Sequence, residues 1–212
     1  SLVGSEMCIR DSFRTGPGGT IDLDNTEFWE WLKDDYRQML DRVSEADGLV
    51  LTFIETGAYA ERQFSKKMKS SEEKLAAVVN AISDVLIGER KKKLYIRTFA
   101  YSEEEYKGTT GCIEYLKYDE VILMMKETPH DFFLTHPDNY YIQKMDRPVI
   151  VEFDLGNEYS GQGVVANTWP EHVMKRWNSY IHCPNVTGYV ARTDRYGNTS
   201  IVNTANDIQL YA

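Results

Sequence analysis

Cysteine is scarce in these 212 residues: three in all, Cys8, Cys112 and Cys183. They fall in no metal-ligand spacing and give no disulfide framework. His130, His136, His172 and His182 show no paired spacing typical of zinc, and surface or hydrogen-bonded histidines are expected instead. No apolar run approaches the roughly 20 residues of a membrane span. Basic charge is in deficit, with 24 Lys and Arg against 33 Asp and Glu and a net charge of −9. Such a surface argues against nucleic acid and anionic membranes as partners. No Gly-x-Gly-x-x-Gly follows any apolar run, which removes the main signature of a nucleotide-binding sheet. Repeats and low-complexity tracts are missing too.

What remains can build a core, since 42% of residues are hydrophobic and 12% aromatic. Residues 1–12 stand apart. Leu2 through Asp11 are what a transposon-type sequencing adapter gives when translated in frame, and its last two bases begin the codon of Ser12. Residues 1–12 are therefore expected to be non-native, with Cys8 among them. Residues 13–212 are expected to be an incomplete barrel domain.

Five short apolar runs have strand length: Gly48–Ile54, Leu94–Phe99, Glu120–Met125, Pro148–Asp154 and Val186–Ala191. Their poor alternation suits parallel strands covered on both faces. Helical patterns lie around them. Trp29, Leu32, Tyr36, Met39, Leu40 and Val43 share one face, with Asp24 and Glu27 as a capping pair. Ser70 and Glu73 open a second helix carrying Leu75, Val78, Val79, Ile82 and Leu86, which Gly88 should stop. Thr168-Trp169-Pro170 starts a third, with Val173, Trp177 and Ile181 as its inner stripe. A last one begins near Asn203. Helix and strand in alternation predict an α/β fold: a partial (β/α)8 TIM barrel of five parallel strands with intervening helices.

In a barrel, loops at the C-terminal ends of the strands build the site. Glu55 follows the first strand, where an apolar rim would raise its pKa; an ordinary solvated loop Glu is the alternative. Arg97, near the end of the second, needs a partner: either a buried acid or a substrate carboxylate. Lys126 and Asp131 follow the third strand, as site residues or as a surface pair. Glu158 follows the fourth, between glycines that permit tight turns. Glu152 and Asp154 share one face of that strand, Glu152 reading as a buried partner for Arg97. Arg192, Asp194 and Arg195 after the fifth read as loop-knitting residues.

The order and spacing resemble the xylan alpha-glucuronidases, glycoside hydrolase family sixty-seven. The similarity is carried by Val149-Ile-Val-Glu-Phe-Asp-Leu-Gly-Asn-Glu-Tyr-Ser-Gly-Gln162, Lys126-Glu-Thr-Pro-His-Asp-Phe132, Asp47-Gly-Leu-Val-Leu-Thr-Phe-Ile-Glu-Thr-Gly57 and Ile96-Arg-Thr-Phe-Ala-Tyr101. It implies a fragment holding barrel strands four to eight. It implies Glu55 as general acid, Asp131 and Glu158 as the acids that activate water, and an inverting hydrolysis of uronic-acid-bearing oligo- or polysaccharide without cofactor. Arg97 and Lys126 would hold the uronate carboxylate, and Tyr159 would contact the substrate. The chain departs from that pattern at Leu51, at Ile54 and at Ala58-Tyr-Ala-Glu61. Two other readings stay open: a retaining barrel glycosidase using Glu55 and Glu158, and a non-catalytic carbohydrate-binding barrel with Tyr101, Tyr115, Tyr159 and Trp169 as stacking rings. The expected partner is a carbohydrate, with no nucleic acid and no membrane. Homo-oligomerisation of the full-length protein and its compartment stay open.

Overall fold

The computed structural model describes residues 12–53, 59–100, 102–160 and 169–193. Glu55, Asp194, Arg195 and the helix expected near Asn203 lie outside them, as do Gly57 and Tyr101. Five parallel strands form one sheet in chain order: β1 (Gly48–Thr52), β2 (Lys93–Arg97), β3 (Ile122–Lys126), β4 (Val149–Asp154) and β5 (Val186–Arg192). A doubly wound sheet reverses its order at a switch point, and this one does not. Consecutive order is that of successive strands in a (β/α)8 barrel, of which these are five. No helix among the described residues is long and apolar enough to cross a membrane.

The described residues form two compact units. One runs up to Ile96 and includes Glu103–Val121; the other comprises Arg97–Ser102 and the chain from Ile122.

In the first unit, helix α1 (Thr26–Arg42) starts at Asn25, whose side chain accepts from Glu27 N at 2.9 Å. The expected cap, Asp24, is used elsewhere: its carboxylate accepts from Ser65 Oγ and Lys66 N. Helix α2 (Ser71–Ser83) opens with the anticipated Ser70/Glu73 capping box. It buries Leu75, Ala76, Val79 and Ile82, the helical spacing of one inner face. Gly88 does not end it. The chain continues through a π-helical turn, Asp84–Glu89, which buries Val85 and Leu86 and contains Gly88. A Cβ on Gly88 would stand 2.8 Å from the Tyr118 hydroxyl, so close packing accounts for that glycine. The chain instead reverses at Lys91, with φ of 55°. Helix α3 (Glu103–Gly111) has no apolar stripe in the sequence; three glutamates in its first turn suit the positive end of the helix dipole.

In the second unit, β3 and β4 pair in parallel with Lys126 opposite Glu152, and β4 pairs with β5 across an irregularity at Val149/Ile150. Leu123, Met125, Val149 and Val151 are fully buried. The β3–β4 connection carries a 3-10 turn, Ile142–Lys144. Helix α4 (Pro170–Tyr180) begins at its proline as anticipated, but the buried residues are Arg176 and Tyr180, while Ile181 is 47% exposed. Of the expected stripe, Val173 and Trp177 are half-buried, with Trp177 against Phe153 and Tyr189, while Arg176 and Tyr180 are turned toward the polar loop after β3.

Candidate active site

The C-terminal ends of β2 to β5 place charged side chains in a row within the second unit. Three cations alternate with two phenyl rings. The Arg97 guanidinium lies 5.1 Å from the Phe99 ring centre, and Lys126 Nζ lies 3.6 Å from that same ring. Lys126 Nζ is also 4.2 Å from the Phe132 ring, which on its side faces the Arg192 guanidinium at 5.3 Å. Cations over aromatic faces gain electrostatic attraction without water, and that gain grows as they are desolvated.

Each cation also has its own carboxylate. Arg97 grips Glu152 with both arms of its fork, Nε to Oε2 and Nη2 to Oε1, each at 2.8 Å. Glu152 is 1% exposed, so this bidentate pair is what permits a charge at that depth. Lys126 Nζ donates to Asp131 Oδ1 at 2.5 Å, and its side chain is 4% exposed. Arg192 donates to Glu158 Oε2 at 2.7 Å.

Asp131 sits at the junction. Besides Lys126, it accepts from the Tyr159 hydroxyl and from Phe132 N. Burial alone would raise its pKa, but the hydrogen bonds from Lys126 and Tyr159 outweigh this and hold the carboxyl below the usual aspartate value. Lys126 is governed by the opposite balance. Burial pulls its amine below the ordinary lysine value, the Arg97 charge adds to that, and Asp131 only partly compensates. Burial, then the bond to Asp131, pushes the Tyr159 phenol up. Asp154 is raised chiefly by burial, although Glu158 N donates to it at 2.6 Å.

Of the residues expected from sequence, Arg97, Lys126, Asp131, Glu158 and Tyr159 are thus brought to one region. Glu55 falls outside the described residues. The Lys126–Asp131 pair is buried rather than superficial, and Arg97 takes the alternative of a buried acid partner. Phe99 and Phe132, the rings that separate the cations, were not among the residues expected from sequence. Their only local signal is that each follows a charged strand end within six residues. The described residues contain no cluster of three or more His, Cys, Asp or Glu suited to a metal ion. A separate apolar cavity of about 550 Å3 in the first unit is lined by Phe28, Trp31, Leu51, Phe53 and Ile82 among others. None of the candidate site residues among the described residues lines it, and much of its wall is the packing faces of α1, α2 and β1.

No protein-family model and no curated protein matches the sequence. Among solved structures the chain is similar to N-acetylneuraminate lyase from Mycoplasma synoviae in its crystal form II, at 16% identity and a TM-score of 0.47, over 82% of this chain and 53% of that one. The chain spans about half the length of that protein. The expected alpha-glucuronidase resemblance is accordingly corrected: no family model supports it, and the structural likeness is to a lyase rather than a glycoside hydrolase. The inverting hydrolysis it implied falls with it, and the retaining and non-catalytic carbohydrate alternatives find no support. The physical reason is that charged residues at strand ends, flanked by Gly and Pro, are common equipment of barrels with unrelated chemistries.

Proposed function

We propose that this row of charges is the acid–base centre of an enzyme acting on a small substrate. Its reaction class is removal and return of a proton beside a carbonyl or carboxylate group. Lys126 is the proton-accepting amine, Asp131 the carboxylate that orients it, and Tyr159 a second donor on that carboxylate. Arg97 and Glu158 flank them, and Arg192 holds Glu158. One observation carries this reading: the Lys126 amine is buried between the Phe99 and Phe132 rings with Asp131 2.5 Å away. An amine works as a base only when it can lose its proton near neutral pH, and desolvation beside another cation is how proteins achieve that. An ordinary structural lysine would keep its ammonium group in water instead.

The test has two parts. NMR titration of isotopically labelled lysine side chains should show Lys126 losing its proton below the ordinary value of 10.5. A panel of small carboxylates and carbonyl compounds in heavy water should then show deuterium uptake with the wild type. Uptake should vanish in Lys126→Met and in Lys126→Arg, because a guanidinium cannot give up its proton at these pH values. Titration of Lys126 at or above 10.5, or undiminished uptake with Lys126→Arg, rejects the assignment.

A further inference from the structure

The loop between β3 and the 3-10 turn carries Asp131, Phe132 and Phe133, and something must fix it, since it lacks regular structure. Its base is closed by Asn139: Asn139 N donates to Glu127 O at 2.9 Å, and Asn139 Nδ2 donates to Lys126 O at 2.9 Å. Tyr180, on the inner face of α4, donates from its hydroxyl to Glu127 O and accepts from Asn139 N at 2.6 Å. One helical turn earlier, Arg176 reaches along the loop. Its Nη2 donates to His136 O and, at 3.5 Å, to Leu134 O; Nη1 lies 3.2 Å from Asp138 Oδ1. Its Nε lies 2.8 Å from Glu127 Oε2, but the N–H itself is directed at His172 Nε2, 2.9 Å away, so Glu127 is held by charge rather than by that bond. Burial, then the Arg176 charge, keeps His172 below its ordinary value, which suits an acceptor nitrogen. Arg176 is 5% exposed.

A buried arginine on a helix outside the row of charges has no structural need to collect four partners from one loop. Helix packing of this kind is made with apolar side chains elsewhere in the chain. What the arrangement does achieve is to hold the Asp131 loop at both ends and along its length. We infer that Arg176 is a positioning residue for the Lys126–Asp131 pair, pinning the 127–139 loop so that Phe132 covers the amine and Asp131 meets it. This rests on the reading of that pair as the acid–base centre.

The effect on Lys126 has a defined sign. Burial is the largest single influence on its amine, and the amine lies below its ordinary value despite the pairing with Asp131. Freeing the loop lifts Phe132 and admits water, so the amine should recover proton affinity, by on the order of tenfold. The experiment is the lysine NMR titration on the full chain, for wild type, Arg176→Met, Arg176→Lys and Leu40→Ala. Leu40 is buried in the first unit, so its truncation controls for general loss of stability. Expected is a rise at Lys126 in Arg176→Met, a smaller rise in Arg176→Lys, and none in Leu40→Ala. Should Arg176→Met fail to fold, Arg176→Lys still decides, because it keeps the charge and loses the fork. A Lys126 titration unchanged in the Arg176 variants, lowered further in them, or moved equally by Leu40→Ala overturns the inference. Failure of the reading beneath it looks different: Lys126 would already titrate at its ordinary value in the wild type.

Discussion

Removing one partner of the Arg97–Glu152 pair should cost far more than removing an exposed ion pair. Glu152 is 1% exposed, and both its oxygens are engaged at 2.8 Å by one guanidinium. Arg97→Met leaves that carboxylate buried with no direct cation. Breaking a buried pair in this way costs about 3–5 kcal/mol. The lower end is expected here, because the Lys126 charge also interacts with Glu152. The reverse deletion, Glu152→Gln, should be milder. Arg97 is 15% exposed and can turn part of its fork to water, so about 1–3 kcal/mol is expected. Replacing both, Arg97→Met with Glu152→Met, removes the charges together and should recover much of the loss. Urea unfolding gives the comparison. With a slope of about 1–3 kcal/mol per molar, a loss of 3 kcal/mol lowers the midpoint by on the order of 1–3 M. Should Arg97→Met cost less than about 1 kcal/mol, as exposed pairs do, the pair is not carrying a buried charge and the reasoning fails.

Two further outcomes follow from the structure. Burial raises the Glu127 carboxyl to about 7 despite the nearby Arg176 charge, so the folded state binds more protons than the unfolded one between its ordinary value of 4.5 and 7. Stability should fall as pH rises through that window, by on the order of 3 kcal/mol, and level off above it; Glu127→Gln should flatten this slope, and a slope unchanged in the variant counts against the assignment. A Cβ on Gly48 would lie 2.4 Å from the Lys93 carbonyl oxygen, so Gly48→Ala should lower the denaturation midpoint by an amount equivalent to about 1–3 kcal/mol, and an unaffected midpoint would show that β1 and β2 can part at that point without strain.

The strands were legible because their signal is local. Ile122–Lys126 and Val149–Asp154 are dense apolar runs with turn residues on both sides, and the hydrogen-bonded strands fall within two residues of where those runs begin and end. The Ser70/Glu73 cap was legible for the same reason: both partners lie within one turn. Helix α3 was not, since Gly108, Thr109, Thr110 and Gly111 are weak helix formers and its stability comes from packing. On α4 the half-buried Val173 and Trp177 were legible from their spacing, Ile181 is exposed instead, and the buried Arg176 and Tyr180 were missed because the usual rule puts apolar residues inside, whereas these two face polar loop backbone.

The site shows the same division between local and distant information. That Arg97, Lys126, Asp131 and Glu158 would gather follows from topology, because each lies just past a strand of a parallel sheet. Which charge holds which does not follow. Glu152 and Asp154 alternate onto one face of β4, yet Glu152 takes the Arg97 fork while Asp154 accepts from the backbone of Glu158. That choice depends on the β3–β4 register, which sets Lys126 opposite Glu152, and on a loop that brings Asp131 back over Lys126. Chemistry depends on the pairing rather than on the gathering. An amine held by one carboxylate between two rings is a candidate base, whereas the same amine in water is an ordinary ammonium. Residue types at strand ends therefore anticipated the gathering of charges but not their partners, and the proposed proton transfer rests on those partners rather than on the residue types.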